Sequence, residues 1–209
     1  MHTLFRGTSV IPVLTIDRER DAVPLARALF EGGLPVIEVT MRTAAAGAAV
    51  AAIRRELAQV VVGAGTLLRA ADVATAVQAG AGFLVSPGLT PELAAAALAA
   101  ELPYLPGVAT PSEVMAARAL GICVMKFFPA EALGGAAWLR ALAPVFPGVA
   151  FCPTGGIDET RAAEYLTLAN VPMVGGSWMV PRDAVAAGDW RRIRRLAERA
   201  AAIGRREAA

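Results

Sequence analysis

The stretch Tyr104-Leu105-Pro106-Gly107-Val108-Ala109-Thr110-Pro111-Ser112-Glu113, an alanine-rich run to Gly121, and then Ile122-Cys123-Val124-Met125-Lys126-Phe127-Phe128 hold one strand, one helix and the next strand. The two apolar runs have strand length, and Thr110 followed by Pro111 stands where helices prefer a capping hydroxyl and a first-turn proline. Gly121 sits where helices stop. Outward from here the same alternation fills the chain. Strand-like runs fall at Val10–Ile16, Val36–Met41, Val60–Thr66, Phe83–Pro87, Tyr104–Ala109, Ile122–Phe128, Val149–Thr154 and Val171–Ser177. Helical segments lie near 18–31, 43–58, 69–79, 90–101, 111–120, 135–146, 158–169 and 189–203. Eight βα units whose strands are apolar on both faces predict an α/β fold of the (β/α)8 TIM-barrel type. The competitor, an open doubly wound sheet, usually begins with a glycine-rich first turn, and Thr15-Ile16-Asp17-Arg18 is not one.

The 209 residues are 56% hydrophobic and carry a formal net charge of +2. That length and apolar content predict a single domain over 1–209, and so small a charge gives no ground for a nucleic-acid or membrane partner. Arg191, Arg192, Arg194, Arg195 and Arg199 cluster near the end of the chain, but Trp190, Ile193, Leu196, Ala197, Ala200 and Ile203 recur among them at helical spacing. This predicts the solvated face of an amphipathic last helix. Cys123 and Cys152 lie in different apolar runs, with no CxxC pair and no metal-ligand spacing, so neither a disulfide nor a bound metal is expected. There is no signal-peptide core and no run of ~18 strongly apolar residues, which predicts a cytoplasmic chain. The single histidine, His2, lies at the terminus, which removes Ser-His-Asp, Cys-His and His-ligated metal mechanisms. Acid–base chemistry is left to carboxylates, hydroxyls, water, Tyr104, Tyr165 and one lysine.

That lysine is Lys126; every other basic side chain except His2 is an arginine. An ammonium in an apolar strand is costly unless it is paired or working, and an amine, unlike a guanidinium, can lose its proton and attack a ketone to form a Schiff base. Barrel chemistry gathers at the C-terminal ends of the strands. The polar residues of these runs lie there: Glu38, Thr40 and Arg42, then Thr66, Lys126, Thr154-Gly155-Gly156, and Gly175-Gly176-Ser177. The side-chain period of two puts Val36, Glu38 and Thr40 on one face with Arg42 at the rim, Lys126 with Val124 and Phe128, and Cys152 inward while Cys123 faces out. Glu38 with Arg42 four residues on reads by itself as a structural ion pair. Opposite a strand lysine it becomes a candidate proton shuttle, because imine chemistry moves protons at the carbinolamine and the α-carbon. Burial among Met125, Phe127, Phe128 and Phe151, with the charge of Arg42, would favour a neutral amine, and an ionised Glu38 would oppose it. Paired glycines after strands 7 and 8, with the hydroxyl of Ser177, occupy the usual phosphate site of a barrel. Arg18, just past strand 1, is placed to add a phosphate contact.

Taken in order, Ile37-Glu38-Val39-Thr40-Met41-Arg42-Thr43, Val62-Gly63-Ala64-Gly65-Thr66-Leu67, Val85-Ser86-Pro87-Gly88, Leu105–Glu113, Met125–Glu131, Phe151–Ile157 and Gly175-Gly176-Ser177-Trp178 form a specific signature. It resembles that of the 2-keto-3-deoxy-6-phosphogluconate (KDPG) aldolases, which also act on 4-hydroxy-2-oxoglutarate. The resemblance implies reversible cleavage of 2-dehydro-3-deoxy-6-phosphogluconate to pyruvate and glyceraldehyde 3-phosphate, with no cofactor. It implies Lys126 as the Schiff-base lysine and Glu38 as general acid/base. Arg42 and Thr66 would hold the pyruvyl carboxylate, Thr154 would help set stereoselectivity, and Gly155, Gly156, Gly176 and Ser177 would grip the phosphate. It also implies a homotrimer. A phosphogalactonate-type sister aldolase, whose strand 2 ending differs and which lacks the Pro-Thr before the strand 7 glycines, is disfavoured by Arg42 and Thr154. Two further alternatives are a thiamin-phosphate-synthase-like barrel, for which no acidic diphosphate–metal pair is seen, and a non-catalytic barrel that binds a phosphosugar acid.

Overall fold

The computed structural model describes residue 5 and residues 7–203, so His2 lies outside the described residues. Strands β1 (Val10–Leu14), β2 (Val36–Thr40), β3 (Val61–Gly65), β4 (Leu84–Val85), β5 (Tyr104–Leu105), β6 (Gly107–Val108), β7 (Val124–Phe127), β8 (Ala150–Pro153) and β9 (Val174–Gly176) are all parallel to their neighbours. Helices α1 (Ala22–Glu31), α2 (Ala46–Glu56), α3 (Ala70–Gln78), α4 (Pro91–Ala99), α5 (Pro111–Ala119), α6 (Gly135–Leu142), α7 (Glu159–Leu166), α8 (Arg182–Ala187) and α9 (Trp190–Ile203) complete the units. Thr110 accepts from the N–H of Glu113, whose carboxylate returns to the N–H of Thr110, so the start of α5 is closed from both sides.

The expected fifth strand is divided. Pro106 has no N–H to give, so β5 pairs with β4, while past the proline β6 pairs with β7. The carbonyl of Pro106 still accepts from the N–H of Lys126 at 2.9 Å, so the two pieces act as one barrel stave. A bridge between Thr154 and Gly175 joins β8 to β9, and β9 pairs with β1, which closes the ring of eight staves. Helix α8, which the sequence reading did not anticipate, is too short at six residues to show a periodic apolar face.

Two apolar layers flank the staves. Phe5, Ile11, Val36, Phe83, Val85, Leu105, Cys152 and Met173 fill the barrel, with Phe5 edge-on to Phe83 at 5.4 Å between centroids. Gly63 is required there, since a Cβ would collide with the ring of Phe83. The outer layer packs the opposite strand faces on the helices, and includes Phe127 stacked on Trp138 at 4.2 Å. One expectation is corrected here. Met125, Phe127 and Phe151 belong to this outer layer, so of the four residues expected around Lys126 only Phe128 shares its face. Among the described residues no helix is long and apolar enough to cross a membrane.

Candidate active site

The barrel interior is apolar at one end and polar at the other because the inward-facing rows of β2 and β7 change character along their staves. On β2 the row runs Val36, Glu38, Thr40; on β7 it runs Val124, Lys126. Glu38 is 4% exposed and Lys126 5%, and the ammonium Nζ donates to Glu38 Oε1 across 3.3 Å. Removing two charges from water is costly, and their mutual attraction offsets that cost only where each has the other. Phe128 adds an aromatic face, its centroid 5.2 Å from Nζ. Gly65 makes the room: a Cβ on it would collide with the Glu38 carboxylate. Cys152, register partner of Lys126 on β8, closes the floor, and burial pushes its thiol up to about 12.

Arg42 does not pair with Glu38. Its guanidinium donates to the hydroxyl of Thr15 at 2.9 Å, and Thr40 bonds the carbonyl of Leu14, so the rim of β2 is tied to β1. Beside this lies a cleft of about 500 Å³ lined by Thr15, Arg18, Arg42, Ser177 and Arg182. Arg18 is engaged by Asp21 at 2.7 Å. Thr66 follows β3 with φ 60, a left-handed conformation unusual for a β-branched residue and typical of a constrained site. Thr154, 6% exposed, donates to the carbonyl of Cys152 at 3.3 Å and lies against Gly175, where a Cβ would meet its hydroxyl. Gly155 (φ +103) and Gly156 (φ +78) form a left-handed turn beside the ring of Phe128, while Gly176 lies under the indole of Trp178. Tyr104 is removed from this set: it faces the outer layer and hydrogen bonds Ser86 at 2.7 Å.

The expected residues therefore form a buried Lys126–Glu38 pair, a cationic cleft at the β1–β2–β9 rim, and a glycine turn on the β8 side. A family model of KDPG and KHG aldolases matches residues 1–196. The chain belongs to the KDPG and KHG aldolase family. A 2-dehydro-3-deoxy-phosphogluconate aldolase of Treponema pallidum is 48% identical over 95% of this chain and 96% of its own length. The KHG/KDPG aldolase of Escherichia coli is 47% identical over 91% of this chain and 90% of its own. The KDPG aldolase of Legionella pneumophila, captured with pyruvate as a covalent carbinolamine intermediate, has a TM-score of 0.91 at 45% identity, covering 93% of this chain and 95% of that one.

Two residues of this family member's rim escaped the sequence reading. Thr15 lies on the inward parity of β1, two residues past Val13, and that signal was available. Arg182 had none, because it enters the cleft from α8.

Proposed function

We propose that this chain is a class I aldolase that reversibly cleaves 2-dehydro-3-deoxy-6-phosphogluconate to pyruvate and glyceraldehyde 3-phosphate, and that it also takes 4-hydroxy-2-oxoglutarate. The observation that carries the reading is the 3.3 Å pairing of a buried lysine with a buried carboxylate, in a chain with no other lysine, at the mouth of a barrel. Proton transfer from Lys126 to Glu38 frees the amine, which adds to the C2 ketone; the carbinolamine hydroxyl takes that proton back from Glu38 and leaves as water, giving the iminium and an ionised Glu38. Glu38 then takes the C4 hydroxyl proton as the C3–C4 bond breaks, and the electron pair moves into the iminium to form an enamine. The aldehyde leaves, C3 is reprotonated through Glu38, and water releases pyruvate and the free amine.

Arg42 and the backbone at Thr66 suit the substrate carboxylate. Gly155, Gly156, Gly176 and Ser177 suit the phosphate, with Arg18 and Arg182 supplying positive charge at the rim. Thr154, buried beside Gly175, is the residue we assign to biasing the configuration at C4. By the same reading the enzyme is cytoplasmic and works as a homotrimer, and light scattering on the purified protein tests the trimer. Borohydride reduction in the presence of pyruvate tests the chemistry: a stable adduct on Lys126 is expected, and the Lys126→Arg variant should neither trap pyruvate nor cleave substrate. Turnover by that variant would refute the imine mechanism.

A further inference from the structure

Arg161 and Tyr165 stand four residues apart on α7 and so share one helix face. The first turn of α7 is fixed by Asp158, which accepts from the N–H of Arg161 at 2.9 Å. Both side chains converge on Glu131, in the 3-10 turn after β7: Arg161 Nε lies 2.8 Å from one carboxylate oxygen and the hydroxyl of Tyr165 donates to the other at 2.5 Å. Arg161 Nη1 also donates to the carbonyl of Gly156 at 3.3 Å. The N–H groups of Ala130 and Glu131 donate to the carbonyls of Thr154 and Gly155 at 2.9 and 3.2 Å. Three successive carbonyls of the glycine turn are thus drawn to one side. A trans peptide points its N–H opposite to its carbonyl, so the N–H groups of Gly155, Gly156 and Ile157 face away from these donors. The fit is close: a Cβ on Gly156 would lie 2.8 Å from Cβ of Glu131.

We propose that Glu131, clamped by Arg161 and Tyr165, is the positioning bracket that holds the Gly155–Gly156 turn in its anion-binding shape and so sets the preference for a phosphate-ended substrate over an unphosphorylated one. The proposal rests on the reading above that this turn receives the phosphate. A carboxylate behind an anion site repels the anion unless it is neutralised, and Arg161 does so while its second nitrogen polarises the Gly156 peptide. A lysine could neutralise the charge but could not span the carboxylate and the Gly156 carbonyl together.

Arg161→Ala is expected to raise KM for the phosphorylated six-carbon substrate about three- to tenfold, with kcat and the KM for 4-hydroxy-2-oxoglutarate within about twofold of the parent. Arg161→Lys should restore little of the loss, and Tyr165→Phe should shift KM in the same direction by a smaller factor. Adding Glu131→Gln to Arg161→Ala should recover part of the affinity, because the unneutralised charge is gone. The dissociation constant of glycerol 3-phosphate, measured by calorimetry on each folded variant, should move in parallel with KM. Full rescue by Arg161→Lys would overturn the bracket in favour of charge alone, and equal losses on both substrates would overturn it in favour of a purely structural role. Unchanged KM and glycerol 3-phosphate affinity in Arg161→Ala would also overturn it. The aldolase reading fails separately, through absence of the pyruvate adduct on Lys126, and the glycerol 3-phosphate titration still decides the bracket in that case.

Discussion

Gly65→Ala is a one-carbon change whose consequence can be worked from the packing of β2 on β3. Gly65 is the register partner of Thr40, and a Cβ there would overlie the Glu38 carboxylate oxygen, 2.5 Å from its Cδ and 2.6 Å from its Cγ. Three consecutive atoms lie inside contact distance, so rotation of the carboxylate alone gives no relief and Glu38 must leave its place. Departure breaks the 3.3 Å pair and strands Lys126, which is 5% exposed. Breaking a buried pair costs about 3–5 kcal/mol, and the lower end applies because the displaced carboxylate can reach water at the barrel mouth. Alanine restricts the unfolded chain more than glycine, which offsets about 0.4–1 kcal/mol at this strand position. The net loss is roughly 2 kcal/mol, or about 4–8 °C in Tm for a chain of this size. Activity should fall much further, by about 10²–10⁴, because the proton shuttle has moved. Thermal unfolding and steady-state cleavage, the latter well below the variant's Tm, measure the two effects. A second variant carrying both Gly65→Ala and Glu38→Ala opens space for the new carbon, so it should relieve the clash without regaining turnover. A Gly65→Ala enzyme with more than about a tenth of parental turnover would refute the placement of Glu38, its role, or both.

Glu38→Gln keeps the shape but not the base, so solvent exchange of the pyruvate methyl protons should drop by about 10²–10⁴ while imine trapping persists slowly; NMR in deuterated buffer reads both. Ser177→Ala should lower kcat/KM for the phosphorylated substrate about ten- to a hundredfold and leave 4-hydroxy-2-oxoglutarate cleavage nearly unchanged, and equal losses would move the phosphate elsewhere. At pH 8 an alkylating reagent should modify exposed Cys123 quickly and buried Cys152 only after denaturation, as peptide mass mapping would show. The thiol of Cys152 is pushed by burial up to about 12, so the folded state retains a proton that the unfolded chain releases above ~8.5. This group therefore leaves stability unaffected below ~8.5 and lowers it as pH rises toward 12, by at most ~1.4 kcal/mol per pH unit; denaturant titrations across that range would check the sign.

The sequence determined the elements and their facing. Apolar runs alternating with capped helices specify parallel βα units, and a period of two assigns Glu38, Lys126 and Cys152 to the interior and Cys123 to the outside, because both patterns are local properties of the chain. The same parity argued against Met125, Phe127 and Phe151 as neighbours of the lysine, and their apolar character alone misled. Only the tertiary structure decided partners. Glu38 and Lys126 are 88 residues apart, and Glu38 had an equally plausible partner four residues away in Arg42, which instead bonds Thr15. Closure and stagger of the ring choose between them, and neither is encoded in any single stave. The break at Pro106, the left-handed backbone of Thr66 and the convergence of Arg161 and Tyr165 on Glu131 likewise appear only in three dimensions. Each depends on groups from different staves that meet only once the barrel has closed.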